Sequence, residues 1–117
     1  MIPRDARFND GALVTAAIGA YQPTAWGLRD MHGNVAEWCN DLYDKDYYRS
    51  SPAADPHGPE RGKTYVLRGG AWSSSADRLR SAARMFDNPG ITDACLARDG
   101  IGFRCVRVVN PVSGKVE

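Results

Sequence analysis

Two carboxylates, Asp30 and Glu37, lie seven positions apart within residues 27–38. Calcium is a hard cation that takes about six to eight oxygen ligands, and a tight turn can offer side-chain and carbonyl oxygens together. Gly33, between the two carboxylates, suits a turn that needs an unusual backbone angle. The alternative is that Asp30 caps the following turn and Glu37 is a solvated charge, and the spacing alone favours this alternative.

The three cysteines, Cys39, Cys95 and Cys105, show neither a CxxC pair nor zinc-ligand spacing. They allow at most one intramolecular disulfide, which would join Cys39 to Cys105. The alternative, which we favour, is that both are buried thiols facing the core. Cys95 lies in a polar loop, where we expect a free and exposed thiol.

The remaining nucleophiles and bases do not form a catalytic pattern. His32 and His57 both lie in turn or loop sequence. The serines at positions 73–75 lack the Gly-x-Ser-x-Gly context of a hydrolase nucleophile. The sequence therefore assigns no catalytic residue.

Length and charge limit the classes of function. The chain has 117 residues, of which 43% are hydrophobic, and this composition fits one domain with a modest core. A formal charge of +1 gives no reason to expect binding to nucleic acid or to an anionic membrane. No apolar run is long enough to span a bilayer, and the first residues lack the core of a signal peptide, so we expect a cytoplasmic protein by default.

The elements that must position the candidate residues are short. Residues 12–21 predict a short strand or extended segment, and residues 34–39 predict one helical turn with Asn34 as its N-cap. Residues 64–72 read as a strand because β-branched and aromatic residues dominate their first half.

The rest of the chain is mostly irregular. Residues 41–63 form the longest loop, and residues 76–84 fit either a short helix or an extended arm. Residues 100–109 give the clearest strand pattern. Long loops on few short strands predict a mixed, loop-dominated fold of the α+β class.

The motifs of this chain resemble those of the formylglycine-generating enzyme or sulfatase-modifying factor family. They are Gly27-Leu28-x-Asp30-Met31-x-Gly33-Asn34-Val35-x-Glu37-Trp38, Leu67-Arg68-Gly69-Gly70-Ala71-Trp72, Arg80-x-Ala82-x-Arg84 and Ile101-Gly102-Phe103-Arg104-Cys105. The resemblance implies a variant of the C-type lectin fold. It also implies that residues 1–117 form a single domain that corresponds only to the C-terminal part of the family's domain.

For Asp30 and Glu37, the resemblance favours the calcium site over the alternative of a capping residue and a solvated charge. It implies a structural calcium held by Asp30 and Glu37 through their side chains and by Gly33 and Val35 through their carbonyls. A second family site would use Asp10 and the Ala12 carbonyl, but its other ligands would lie upstream of this chain, so that site is doubtful.

The same resemblance argues against the family's oxidation chemistry. The formylglycine-generating enzymes use two copper-binding cysteines after the Gly-Gly-aromatic strand, whereas residues 73–81 contain no thiol. Serine hydroxyls cannot replace thiolates as Cu(I) ligands, so we expect neither copper nor formylglycine generation. A fragment of a nonheme-iron oxidoreductase from the same superfamily is an alternative, and its histidine ligands would come from an absent upstream domain.

A binding surface is the remaining functional candidate. The family's substrate groove matches five residues and would take a peptide or protein: Trp72, Ser73, Ser74, Arg80 and Arg84. A lectin-like module that binds peptide, protein or glycan is therefore a further alternative. The missing N-terminal half would come from an upstream domain or a protein partner, and its absence predicts exposed core surface.

The large aromatic and basic residues have a structural expectation. We predict that Trp38, Trp72 and Phe103 anchor the core. Four arginines should tie carboxylates and loop carbonyls together: Arg68, Arg80, Arg84 and Arg104.

Overall fold

Four short strands carry the fold in the computed structural model, which describes residues 10–90 and 99–107. They are β1 (Ala36–Leu42), β2 (Tyr65–Arg68), β3 (Met85–Asp87) and β4 (Ile101–Gly102). Two single 3-10 turns, Tyr47–Arg49 and Ala76–Arg78, are the only helical elements in this described part. Most of the described chain is loop, as predicted.

The strands form one mixed sheet in the order β3-β2-β1-β4. β2 is antiparallel to both neighbours, and the pairs Trp38–Leu67 and Val66–Phe86 fix the register. β4 runs parallel to β1, with Ala36 opposite Ile101. β1 is therefore an inner strand that holds segments from distant parts of the chain.

A small core lies against one face of the sheet. Ala36, Leu67 and Ala71 are its buried residues. Four partly buried side chains pack around them: Trp38, Trp72, Met85 and Ile101. Neighbouring residues of a strand point to opposite faces, so Val66, which is also buried, lies on the other side of the sheet from Leu67.

The helical turn predicted over residues 34–39 is wrong. Asn34 has φ +62°, a left-handed conformation, and the strand begins two residues later. Pairing of β1 with strands on both sides satisfies its backbone groups, and this tertiary gain outweighs the local pattern. Asn34 is not an N-cap, because its side chain binds the backbone of Ala16 instead.

The two predicted strands have different outcomes. The strand over residues 64–72 is confirmed at Tyr65–Arg68, and Gly69 and Gly70 end it with φ +85° and +69°. The strand over residues 100–109 shrinks to two residues, and positions 108–109 lie outside the described part. Phe103 is 78% exposed, so its predicted place in the core is wrong. Trp38 and Trp72 do pack against the core, as predicted.

Residues 12–21 contain bends and one turn but no strand, so the predicted short strand is wrong. Residues 76–84 contain the 3-10 turn Ala76–Arg78 and then lead into β3. Within residues 10–90 and 99–107, no helix has the length and apolar character to cross a membrane.

Large apolar side chains remain uncovered in this fold. Trp26 is 88% exposed, Ile18 97% and Val106 86%. Leu13 and Phe103 are each more than three-quarters exposed as well. Single exposed apolar side chains are normal on a protein surface, whereas a contiguous apolar patch would mark an interaction site.

Candidate functional site

The turn before β1 has an unusual backbone. Asp30, Gly33 and Asn34 all have positive φ values of +56°, +81° and +62°. Such angles are uncommon in residues other than glycine, and Asn and Asp tolerate them best. The turn is tied to the end of β2, because the Gly33 amide donates to the Gly69 carbonyl at 2.9 Å.

Asp30 points inward from this turn. Its Oδ2 accepts a hydrogen bond of 2.6 Å from the amide of Gly19. Its Oδ1 is buried and has no hydrogen-bond partner. An ionised oxygen that loses water without gaining a donor is costly, and a cation is the group that offsets this cost most directly. The residues of the turn therefore fit a metal ion at Asp30.

Glu37, the second predicted carboxylate ligand, is held by Arg104. Arg104 Nε donates to Oε2 at 2.8 Å, and Nη2 donates to Oε1 at 2.6 Å. Nη2 also donates to the carbonyl of Arg29, the neighbour of Asp30, at 2.9 Å. The hydrogen bond to Glu37, and less strongly the charges of Glu37 and Asp30, raise the pKa of Arg104.

Arg104 thus links Glu37 to the backbone beside Asp30, and each Glu37 oxygen keeps a further lone pair for a cation. Gly33 and Val35, which would contribute carbonyls, lie in the bend between Asp30 and the start of β1. No three His, Cys, Asp or Glu side chains converge anywhere in the described ranges. A cation at this turn would therefore depend on carbonyl ligands beside the two carboxylates.

Asp10, the candidate for the second site, is satisfied by its own turn. Its Oδ1 accepts from the Ala12 amide at 3.0 Å and its Oδ2 accepts from the Tyr21 hydroxyl at 2.8 Å. These hydrogen bonds, that of Ala12 first, lower the pKa of Asp10. The hydrogen bond that Tyr21 donates to Asp10 raises the pKa of Tyr21.

The corner after β2 carries most of the predicted substrate-binding residues. Ser74 Oγ accepts the Ala71 amide at 3.0 Å, and the Ser74 amide donates to the Ala71 carbonyl at 2.9 Å. Trp72 presents a buried indole N–H that has no hydrogen-bond partner. The Arg80 Nε donates to the Asp77 carbonyl at 3.0 Å, which fixes the following turn.

Gly70 allows this corner to close. A Cβ on Gly70 would lie 2.7 Å from Leu79 Cδ2 and 3.0 Å from the Arg78 carbonyl oxygen. The corner is therefore packed tightly around a glycine. Trp72, Ser73, Ser74 and Arg80 belong to this part of the chain.

Arg84, the fifth predicted substrate-binding residue, lies elsewhere. Its guanidinium carbon is 4.1 Å from the ring centroid of Tyr48 and 5.5 Å from that of Tyr43. Tyr43 in turn stacks on Phe86, with centroids 4.1 Å apart. The sequence spacing gave no signal for this cluster, because its members come from two segments that are distant in the chain, residues 43–48 and 84–86.

The arginine expectation is confirmed at three of the four positions. Arg104 ties a carboxylate and a carbonyl, and Arg80 ties a carbonyl. Arg68 Nη1 donates to the Ala83 carbonyl at 2.5 Å. Arg84 instead packs on the rings of Tyr48 and Tyr43 and makes no hydrogen bond within residues 10–90 and 99–107.

A groove of about 800 Å³ opens beside β1 on the side of Glu37 and Arg104. Fifteen residues line it, and the apolar ones include Trp26, Leu28, Met31, Trp38 and Val106. Several of these are among the exposed apolar side chains described above. The groove is thus largely apolar, with the Glu37–Arg104 pair in its wall.

The thiols and histidines do not form a site in the described ranges. Cys39 is half-buried and Cys105 is exposed, and both are free, so the expectation that both are buried fails for Cys105. Burial raises the pKa of Cys39, and the nearby Arg68 partly opposes this shift. His32 Nδ1 lies 2.7 Å from the Leu79 carbonyl, and His57 is exposed. Cys95 lies outside the described residues.

Known proteins resemble this chain over most of its length. A formylglycine-generating enzyme of Streptomyces coelicolor is 41% identical over 109 residues, which are 91% of this chain and 33% of that protein. The serine/threonine-protein kinase pkn1 of Chlamydia pneumoniae is 43% identical over 107 residues, which are 90% of this chain and 16% of that protein. The chain thus spans a third or less of these two relatives.

A solved structure also resembles this chain. Treponema denticola variable protein 1 superposes with a TM-score of 0.61 at 32% identity, over 78% of this chain and 31% of that one. The profile of the sulfatase-modifying factor enzyme 1-like domain matches residues 3–109. This chain therefore belongs to the sulfatase-modifying factor enzyme 1-like domain family.

Proposed function

We propose that this chain is a calcium-stabilised binding or partner domain of its family that does not generate formylglycine. The observation that carries the proposal is the composition of the corner after β2. Residues 73–81 contain no cysteine, and the Ser74 hydroxyl is occupied by the Ala71 amide. The family's Cu(I) site needs two soft thiolate ligands, and residues 73–81 supply none.

The distribution of the domain supports a role other than one fixed reaction. The same segment matches a protein named as a formylglycine-generating enzyme and a protein named as a serine/threonine kinase. A segment shared by proteins of such different activities is better suited to binding than to one chemical step.

Calcium is the proposed cofactor, and the buried, unpartnered Oδ1 of Asp30 is its main support. Asp30 and Glu37 would supply carboxylate oxygens, and Gly33 and Val35 would supply carbonyls. Bound calcium would stabilise a turn with three left-handed residues and thereby fix the start of β1. No copper is proposed, and no described cluster of histidines supports iron.

The groove beside β1 is the proposed contact surface for the N-terminal half of the family's domain. Trp26 and Val106 are almost fully exposed there, and apolar residues dominate its lining. The relatives contain additional sequence that this chain does not span. We propose that the N-terminal half of the family's domain covers the groove. An upstream segment or a separate protein would supply that half, with no nucleic acid and no membrane involved.

The test of the central proposal is direct. The purified chain is loaded with Cu(I) under reducing conditions, mixed with a cysteine-containing sulfatase peptide and oxygen, and analysed by mass spectrometry. The Streptomyces coelicolor enzyme serves as the positive control. We expect no mass change of the peptide with this chain, and conversion of cysteine to formylglycine would overturn the proposal.

A lectin-like module that binds peptide or protein is the second candidate. The likeness to the Treponema denticola variable protein 1 structure favours it. In this variant of the proposal the C-type-lectin-like fold presents Trp72, Ser73, Ser74 and Arg80 as the ligand surface. The unpartnered indole N–H of Trp72 would then donate to the ligand.

A further inference from the structure

A second, smaller pocket lies on the face of the sheet opposite the core. It has a volume of about 150 Å³, and residues of β1, of the 3-10 turn Tyr47–Arg49 and of β2 line it together with Arg84, which precedes β3. Its charged and aromatic lining consists of Asp41, Asp44, Tyr47, Tyr48, Arg68 and Arg84.

The two arginines line this pocket from neighbouring segments of the chain. Leu67 pairs with Met85 in the antiparallel register, so the next residues, Arg68 and Arg84, are the following opposed positions. The hydrogen bond from Arg68 to the Ala83 carbonyl holds them close together. Like charges at opposed positions of a sheet destabilise it, so an anion between them would be favourable.

Within residues 10–90 and 99–107, neither arginine forms an ion pair with another described residue. The ion pairs found among residues 10–90 and 99–107 join Arg49 to Asp46 and Arg104 to Glu37. Glu37 is opposite Arg68 in the sheet, but its carboxylate is hydrogen-bonded to Arg104 rather than to Arg68. Arg84 is half-buried and keeps all five of its N–H groups free of hydrogen bonds in this described part.

The rings of Tyr48 and Tyr43 hold the Arg84 guanidinium in place. A guanidinium fixed by aromatic faces keeps its edge donors available, and its fork matches a carboxylate. Less rotamer freedom is lost on binding when the fork is already positioned. The pocket is therefore organised in advance for a small planar anion.

We propose that this pocket binds one carboxylate of a peptide through Arg84 and Arg68. The pocket volume admits a carboxylate and its first carbons but little more. Asp41 and Asp44 in the lining oppose any anion, but a singly charged carboxylate less than a phosphate dianion, and they would accept N–H groups of the peptide backbone. Tyr48 is 67% exposed and Phe86 53%, so their rings offer a surface along which the peptide leaves the pocket.

The experiment follows backbone amide shifts by NMR at constant ionic strength. The probes are N-acetylglycine for a terminal carboxylate, N-acetylaspartyl amide for a side-chain carboxylate, N-acetylglycinamide as the neutral control and inorganic phosphate. We expect saturable shifts near Arg84 and Tyr48 with one or both carboxylates, and none with the neutral amide. The stronger of the two carboxylates identifies the source.

Variants separate recognition from general charge effects. Arg84→Gln is expected to weaken carboxylate binding at least tenfold, and Arg84→Lys, which keeps the charge without the fork, about fivefold. Arg49→Gln removes an exposed arginine from the adjacent 3-10 turn and should change binding less than twofold. Tyr48→Leu, at an exposed position, should weaken carboxylate binding because Arg84 loses the aromatic ring on which its guanidinium packs.

Three outcomes would overturn the proposal. They are the absence of saturable shifts in the unmodified chain, equal binding by the unmodified chain and both Arg84 variants, and tighter binding of phosphate than of either carboxylate. A lowered melting temperature for Arg84→Gln without carboxylate binding by the parent would assign Arg84 a purely structural role. Each of these results is independent of the copper assay, because no residue of the corner at positions 73–81 lines the pocket.

Discussion

Arg104 binds both oxygens of the Glu37 carboxylate, at 2.8 and 2.6 Å, across 67 positions of sequence. Glu37 lies on β1, and Arg104 follows β4, the short edge strand parallel to it. Since β4 contributes only two residues to the sheet, this fork supplies a large share of what holds the segment in place.

Removing the fork should destabilise the chain. Arg104→Gln is expected to lower the free energy of unfolding by about 1 kcal/mol, because the side chains of the pair are 35% and 23% exposed and solvent screens part of the interaction. Urea denaturation measures the loss. Arg49→Gln, whose surface pair with Asp46 has an 85% exposed arginine, should change the free energy by much less. Equal effects of the two variants would contradict this role of Arg104.

Gly70→Ala should be among the most damaging single-methyl changes. The φ of +69° disfavours any Cβ, and the added methyl would meet Leu79 Cδ2 at 2.7 Å and the Arg78 oxygen at 3.0 Å. We expect a loss of about 2–3 kcal/mol from strain and overpacking together. Thermal or urea unfolding reports it.

Gly27→Ala is the matched control for Gly70→Ala. Gly27 has a similar φ of +77°, but nothing lies within 4 Å of its added Cβ. It should cost only the conformational term of about 1–2 kcal/mol. Leu79→Ala combined with Gly70→Ala should recover part of the loss if the side-chain contact is responsible. No difference between the two glycine variants would show that packing plays no part.

Calcium should raise the melting temperature of the chain. At a concentration one hundred times its dissociation constant, an ion that binds only the folded state adds about 2.7 kcal/mol. Glu37→Ala should abolish the calcium-dependent part of the shift, measured against the same variant in chelator. Asp46→Ala removes an exposed carboxylate and should keep the full shift. A shift retained in Glu37→Ala would exclude this ligand set.

The Asp77 carboxylate should titrate below its usual range. The Ser75 hydroxyl donates to it, and this hydrogen bond is the main cause of its lowered pKa. Because the folded pKa lies below the unfolded one, the carboxylate favours folding above the unfolded pKa. This contribution fades as the pH falls through the folded value. Ser75→Ala should raise the pKa of Asp77 in an NMR titration, and an unchanged pKa would rule out the hydrogen bond as the cause.

The two described thiols should react at different rates. Cys105 is exposed, whereas Cys39 is half-buried and burial raises its pKa. The thiolate is the reactive form, so iodoacetamide at neutral pH should label Cys105 first. Mass spectrometry of peptides from a time course checks the order. Prior labelling of Cys39, or a bridge between the two in unreduced protein, would contradict the structure.

Local patterns predicted the parts of the fold that depend on local chemistry. The strand at Tyr65–Arg68 follows from its β-branched and aromatic residues, and its end follows from two consecutive glycines with positive φ. The excess of loop over regular structure was also predictable. Family motifs then gave the domain class, which the profile over residues 3–109 confirms.

Features that depend on distant pairing were not predictable. The sequence of β1 resembles a helical turn, yet it becomes a strand because β2 and β4 flank it. Phe103 fits the alternation of a buried strand, but β4 ends at Gly102 and leaves the ring exposed. A period read along one segment cannot report whether a partner strand continues beside it.

The candidate sites divide in the same way. The turn before β1 was visible as a motif, and the unusual backbone angle predicted at Gly33 is confirmed by its φ of +81°. The separation of Arg84 from Trp72 and Ser74 was not visible, because it results from the direction of β3 relative to β2. Tyr43, Tyr48 and Phe86, which surround Arg84, carry no signature in sequence.

The parallel pairing of β1 with β4 also has a consequence for synthesis on the ribosome. Ala36 meets Ile101 only after the whole intervening chain has been made. Until then β1 exposes one unpaired edge beside an apolar groove, which is a hazard for aggregation of the nascent chain. The parallel edge of β1 can therefore close only after residues 101–102 have been synthesised.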